Sequence, residues 1–174
     1  MDEIKVEVIP AMMVPIVARQ TAMDPAYVKK LTDMMSRDEI VLLAARRDAG
    51  GYIDNYIGRV SLWLAPAEES EVRRSVPQAA MVTKLQVNER ARLQGIARQL
   101  MLAAEDAARA RGRHQLALGV EPGNQAARKL YESLGYAYHK ALGHDTYQAS
   151  WDETDEQGGT KRVTVEAMLM VKEI

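Results

Sequence analysis

Apolar and polar residues alternate in EIKVEVI (3–9), which predicts a strand with one covered face. Residues 10–37 are rich in Ala, Met and Lys and read as two helical pieces. TAMDP splits them, with Asp24 placed to cap the second piece and Pro25 at its first helical position. EIVLLAARR (39–47) is the continuous apolar run of a buried strand, DAGG (48–51) a turn, and YIDNYIGRVSLWLA (52–65) the returning strand of a hairpin. Gly58 inside that strand marks a bulge or a close backbone approach. Residues 66–78 are polar, with a proline near each end, and predict a loop; AAMVTKLQV (79–87) predicts another strand.

The clearest helix is GIARQLMLAAEDAARARG (95–112), where Ile96, Leu100, Ala103 and Ala107 recur at spacings of 4, 3 and 4. Glu105 and Arg109 form a favourable i,i+4 pair on it, and Gly112 is a natural stop. RHQLALGV (113–120) reads as a strand, EPG as a break, and NQAARKLYESLG (124–135) as a short helix ending at Gly135. YAYHKALGHDTYQASW (136–151) and KRVTVEAMLMVKEI (161–174) predict two long strands joined by the polar turn DETDEQGGT (152–160). The order is that of a mixed α/β fold: a mostly antiparallel central sheet flanked by helices, without internal repeats.

Composition narrows the function classes. A chain of 174 residues, read as one domain over 1–174, can bury a core without covalent staples. With 47% hydrophobic and 27% charged residues it has globular, not disordered, composition. The formal net charge of -1 and the lack of a basic–aromatic stripe argue against nucleic acid or an anionic membrane as partner. Cysteine is absent, which excludes disulfides, thiolate metal sites and a cysteine nucleophile and fits a cytoplasmic protein. No stretch approaches the roughly 18 apolar residues of a membrane span, and the acidic, alternating N-terminus does not read as a signal peptide. His114, His139 and His144 lack the spacing of a metal site, so no metal is expected.

One stretch carries chemistry by itself. After the strand ending at Val87 the chain runs NERARLQGIA into a helix. The first N–H groups of that helix have no backbone partner, and with the helix dipole they suit an anion. Gly95 lets backbone approach an anion closely, Ala97 is nearly as small, and Arg92 and Arg98 add positive charge. The turn lacks G-x-x-x-x-G-K-[ST] and a full G-x-G-x-x-G, so it is neither a P-loop nor a Rossmann fingerprint. Read alone, it fits an anion cradle or a plain helix start with surface arginines equally well.

Paired with NQAARKLYESLGY (124–136), the stretch RLQGIA (92–97) resembles the signature of the GNAT superfamily of acyl-CoA N-acyltransferases. The form Q/R-x-x-G-x-G/A is met by Arg92, Leu93, Gln94, Gly95, Ile96 and Ala97. The form N-x-x-A-x-x-L-Y-x-x-x-G-F/Y is met by Asn124, Ala127, Leu130, Tyr131, Gly135 and Tyr136. The resemblance covers residues 79–136. It implies a sheet that splays between its fourth and fifth strands (79–87 and 113–120) to admit acetyl-CoA. It implies that amides from Gln94 to Arg98 hold the pyrophosphate, that the edge carrying Leu85 and Val87 pairs with the pantetheine arm, and that the Val87 N–H meets the thioester carbonyl. Tyr131 matches the family's general acid for the leaving thiolate. Asn124 either bonds the coenzyme or caps its helix.

The expected function is acetyl transfer from acetyl-CoA to a primary amine, on a small molecule first or on a peptide, by a monomer or homodimer. A non-catalytic acyl-CoA sensor or regulatory module on the same fold is the alternative. The general base departs from the family pattern, because Lys84 stands in MVTKLQV where an acidic residue is common. Glu121 is the first substitute, followed by Glu89 with a water chain. The arginines at 109, 111 and 113 read as a solvated face, one of them a candidate for the coenzyme's 3′-phosphate. DETDE (152–156) reads as a solvated hairpin tip, with an acidic rim for a cationic acceptor as the sharper option.

Overall fold

The structure, a computed structural model, describes residues 3–48 and 55–174. In chain order the elements are β1 (Glu3–Val8), α1 (Val14–Gln20), α2 (Pro25–Met35), β2 (Ile40–Asp48), β3 (Tyr56–Trp63), α3 (Ser70–Ser75) and β4 (Ala80–Val87). They continue with α4 (Ile96–Arg109), β5 (Gln115–Val120), α5 (Gln125–Ser133), β6 (Ala137–His139), β7 (Tyr147–Thr154) and β8 (Thr160–Glu173). The sheet order is β1-β2-β3-β4-β5-β8-β6, with β7 also pairing β8. Among the described residues only the β4–β5 contact is parallel; the others are antiparallel. This is the mixed α/β architecture expected from the pattern.

Local chemistry sets the breaks. The Asp24 side chain accepts from the Ala26 N–H at 2.8 Å and Pro25 opens α2, so α1 and α2 separate at the predicted place. Gly58 combines both of its anticipated roles. The β2–β3 register shifts beside it, pairing Ala45 with Gly58 but Arg46 with Tyr56. A Cβ at Gly58 would lie 3.0 Å from the Gln86 carbonyl oxygen and 3.1 Å from Leu100, so β3, β4 and α4 approach one another here. The turn expected at 48–51 and the start of the strand expected from 52 lie, apart from Asp48, outside the described residues until Asn55.

Two expectations are corrected. The polar stretch 66–78 holds the short helix α3, which sends Val72 and then Val76 into a core shared with Ala117, Tyr147 and Leu169; two apolar residues four apart are enough for one buried turn. The strand expected over 136–151 breaks into β6 and β7, because Leu142 (φ 50°) and Gly143 (φ 82°) take left-handed conformations that end the ladder. The final hairpin is correspondingly longer. Its tip is closed by Asp155, which accepts from the Gln157 and Gly159 N–H groups.

Helices cover both faces of the sheet. On one face α4 and α5 pack over Val60, Leu62, Val82, Leu116 and Leu118. On the other, α1 and α2 pack over Leu42, Ala44 and Tyr56. The helix predicted at 95–112 buries Ile96, Leu100, Met101, Ala104 and Ala108, and also Glu105. Both Glu105 carboxylate oxygens accept from Lys172 Nζ, at 2.9 and 3.0 Å, and Tyr136 Oη donates to it at 3.3 Å. Arg109, its expected i,i+4 partner, pairs with it at 3.6 Å and also with Asp106 at 2.9 Å. Removing one member of such a pair leaves the other without compensation. Glu105→Ala is therefore expected to lose about 3 kcal/mol in urea unfolding, and Glu105→Gln, which keeps an acceptor for Lys172 and Tyr136, less.

Candidate active site

The site begins with an extra residue in β4. Along the β3–β4 ladder, Arg59 faces Gln86 and Ser61 faces Thr83, so two steps on β3 match three on β4. That is a β-bulge, and Lys84 lies within it at φ 56°. The bulge breaks the side-chain alternation: Val82, Leu85 and Val87 all pack toward the core under α4, while Lys84 reaches the other side.

The buried Arg59 holds this bulge in place. Its guanidinium donates to the Lys84 carbonyl at 3.1 Å, to Gln86 Oε1 at 2.7 Å and to Thr21 Oγ1 at 3.1 Å. All three acceptors are neutral, and burial lowers the Arg59 pKa from its usual value. The same part of the sheet opens. Strands β4 and β5 pair only at Ala80↔Leu116 and Met81↔Ala117, then diverge. The Asn88 N–H donates to the Ile57 carbonyl at 2.8 Å. Alternation in an antiparallel ladder then turns the main-chain groups of Val87, and those of Leu85 two residues before, away from β3 and into the gap. The Val87 carbonyl there accepts from Arg92 Nε at 3.2 Å.

From Val87 the chain passes through a 3₁₀ turn, Glu89–Ala91, to Gly95, which caps α4 in a left-handed conformation (φ 77°). A Cβ at Gly95 would meet no protein atom within 4 Å, so it is the positive φ that requires glycine here. Leu93, at φ 61°, is fully exposed on the same turn. Arg92, Gln94 and Arg98 are exposed, Ala97 is half-buried and Ile96 is anchored in the core. Gln94 Oε1 accepts from Arg47 at 2.8 Å, and Arg98 donates to Ser133 Oγ at 3.3 Å, tying the turn to β2 and α5. Arg111 and Arg113 line a different groove with Asp38, Glu39 and Leu64. They follow the far end of α4, about 20 Å of helix from Gly95.

Beyond the turn, a cavity of about 190 Å³ opens between β5, α5, β7 and β8. Glu121, Asn124, Ala127 and Tyr131 line it together, with Trp151 on the β7 wall. Asn124 Oδ1 accepts from the Ala127 N–H at 3.2 Å, so the capping role is met while the residue also faces the cavity. Tyr131 is 8% exposed, and its ring packs edge-on against Tyr136. Burial pushes its phenol pKa up, so it stays protonated at neutral pH. Glu89 is exposed on its 3₁₀ turn and is not among the cavity's lining residues.

A model of the Acetyltransferase (GNAT) family matches residues 15–136. The chain belongs to that family. Among solved structures it resembles a GNAT family acetyltransferase from Elizabethkingia anophelis with acetyl-CoA bound, at 19% identity over 100% of each chain with a TM-score of 0.62. It also resembles the PaiA N-acetyltransferase from Thermoplasma acidophilum in complex with coenzyme A, at 15% identity over 99% of each chain and a TM-score of 0.58. A third is the ribosomal-protein-S18-alanine N-acetyltransferase from Escherichia coli, at 17% identity over 99% of this chain and 94% of that one, with a TM-score of 0.62. At these identities the likeness is one of fold. A search of curated proteins finds no match.

Within this GNAT chain, the structure adds residues the sequence reading passed over. Arg59 is one; its signal was a lone charge inside the buried run YIGRVSLW, where a cation needs a structural reason. Tyr27 of α2 and Trp151 of β7 are others. Their rings flank Lys84 Nζ at 5.4 and 4.5 Å, a meeting that no local pattern announces. Of the acids in 152–156, Asp152 pairs with Arg162 at 3.1 Å and Glu153 accepts from Trp151 Nε1 at 2.9 Å, while Glu156 is exposed. No cluster of metal-ligating side chains occurs among the described residues, and no helix among them is long and apolar enough to cross a membrane.

If Arg59 sets the bulge, Arg59→Met should lower the unfolding free energy by about 3 kcal/mol and also weaken coenzyme A binding in calorimetric titration. Gly95→Val places a β-branched side chain at positive φ. It should weaken coenzyme A binding by about tenfold or more and lower the melting temperature by about 2–8 °C, the cost of the strained φ.

Proposed function

We propose that the protein is an acetyl-CoA-dependent N-acetyltransferase that passes the acetyl group directly to a primary amine, a small-molecule amine before a peptide. One arrangement supports this reading above the others. A bulged strand leaves its neighbour, offers the main-chain donors of Leu85 and Val87 to the gap, and leads into a glycine-capped helix start beside a buried, protonated tyrosine.

In this reading, amides from Gln94 to Arg98 and the side chains of Arg92 and Arg98 hold the pyrophosphate, where the helix dipole favours negative charge. Leu93 and Ile96 shape that turn, the former by its exposed backbone and the latter by anchoring α4. The edge of β4 at Leu85 and Val87 pairs with the amide-bearing pantetheine arm as a strand would. Asn124 and Ala127 bound the arm from α5. The acceptor nitrogen attacks the thioester carbon, forming a C–N bond. The Val87 N–H stabilises the charge that develops on the carbonyl oxygen. The C–S bond then breaks, and Tyr131 gives its proton to the departing thiolate. The proton lost by the amine passes to Glu121, the carboxylate that shares the cavity with Tyr131.

Thiol release from acetyl-CoA, measured against a broad amine panel, tests the reading. Tyr131→Phe should lower kcat by about 10²–10⁴ and leave the coenzyme A Kd nearly unchanged. Because burial raises the Tyr131 pKa above its usual value of 10.0, any alkaline fall in kcat from loss of this proton donor should have its midpoint above pH 10. Tight acetyl-CoA binding with no thiol release for any amine would favour the non-catalytic sensor.

A further inference from the structure

Lys84 is a charged side chain without a hydrogen-bonded partner in the part of the molecule where an acceptor would sit. The bulge turns it away from the α4 core, toward α2 and β7. Its Nζ lies 4.5 Å from the Trp151 ring centroid and 5.4 Å from that of Tyr27. Trp151 is also a wall of the cavity that holds Tyr131 and Glu121. Two aromatic faces attract a cation but accept no ordinary hydrogen bond. An ammonium has three donors, and among the described residues none of those on Lys84 has a hydrogen-bond acceptor or a salt-bridge partner.

The neighbouring charges do not fill that role. Asp24 accepts from Ala26 N and from Thr154 N and Oγ1, locking α2 to β7. Glu153 is held by Trp151 Nε1. Lys30, the next cation on this side, already has Glu68 at 2.7 Å. Behind Lys84, Arg59 is a second buried cation whose hydrogen-bond partners are all neutral. Desolvation pushes the Lys84 pKa down, the carboxylates of Glu153 and Asp24 oppose that in part, and Arg59 and Lys30 add to it. An anion arriving from outside would relieve the desolvated charge.

Resting on the acetyltransferase reading, we infer that Lys84 is a specificity determinant that binds the carboxylate of the acceptor, so that the preferred substrate is an amine carrying a carboxylate, of the amino-acid class. Trp151 and Tyr27 hold the ammonium between two rings, which limits where the carboxylate can dock, and the acceptor's amine is left to face the cavity of Tyr131 and Glu121. It differs from the acidic-rim expectation, which favoured a cationic acceptor.

The test compares acceptors that differ only in the anion: amino acids, their amides and their decarboxylated amines, with wild type and Lys84→Met. Wild type should favour the best amino acid over its amide and its amine by about 10–100-fold in kcat/KM, the range for a charge-assisted hydrogen bond. Lys84→Met should bring that ratio to within about threefold, chiefly through the KM of the amino acid, with the coenzyme A Kd unchanged. Thiol release without preference for the carboxylate would overturn the inference and leave the acetyltransferase reading standing. So would an equal loss of kcat for both acceptor classes in Lys84→Met, which would make Lys84 a proton acceptor. Where coenzyme A binds but no amine is acetylated, Trp fluorescence of the coenzyme A complex, titrated with N-acetyl amino acids and with N-acetyl amines, decides the matter. Binding that needs both the carboxylate and Lys84 supports the inference; binding indifferent to either overturns it. Failure to bind coenzyme A at all would instead strike the acetyltransferase reading on which the inference rests.

Discussion

The grip of Arg59 on the β4 bulge is the constraint on which the rest of the site depends. A buried guanidinium has a large desolvation cost and persists only where its donors are satisfied. Here its acceptors are a main-chain carbonyl inside the bulge, an amide side chain one strand position away, and the hydroxyl that follows α1. Those bonds tie three elements to one irregularity. The irregularity puts Leu85 and Val87 on the α4 face with Val82 and turns Lys84, two residues after Val82, toward α2, and it lies in the stretch where β4 and β5 part. A regular strand would have kept the period of two, leaving Lys84 on the α4 face with Val82 and moving Leu85 and Val87 to the other.

The two faces of the sheet thereby acquire different work. The α4–α5 side carries the glycine-capped helix start, its arginines and the buried tyrosine, which suit a phosphate-bearing thioester. The α2–β7 side carries an aromatic-flanked ammonium and a carboxylate-locked helix start, which suit a small charged acceptor. The cavity lies where they meet, with Trp151 shared between them. Strength elsewhere comes from ordinary sources: apolar layers on both faces, and the Glu105–Lys172–Tyr136 cluster that joins α4 to β8 and the start of β6.

Much of this was legible from local order. Short-range signals found β1, β2, β4, β5 and the helices α1, α2, α4 and α5, because period, caps and prolines act within a few residues. The glycine turn and the tyrosine helix were legible for a related reason: each is a contiguous stretch whose backbone demands, a glycine at positive φ and an asparagine cap, are written in residue identity. The loop 66–78 and the strand 136–151 were misread where a brief element contradicted its surroundings. One buried turn of helix at Ser70–Ser75 and one left-handed pair at Leu142–Gly143 were each too short for a periodic signal.

By itself, then, the amino-acid order determined most of the element sequence, the family and the glycine-capped helix start, all of which depend on neighbours along the chain. Only the tertiary structure decided which side chains meet across it. Arg59 was an unexplained charge until Thr21 and the Lys84 carbonyl stood beside it, 38 and 25 residues away. Lys84 was a missing carboxylate until Tyr27 and Trp151 enclosed it. The reason is physical: hydrogen bonding and desolvation act over a few ångströms of space whatever the separation in sequence, and a one-residue bulge, invisible to any periodic pattern, chose the compartment each of these groups would enter.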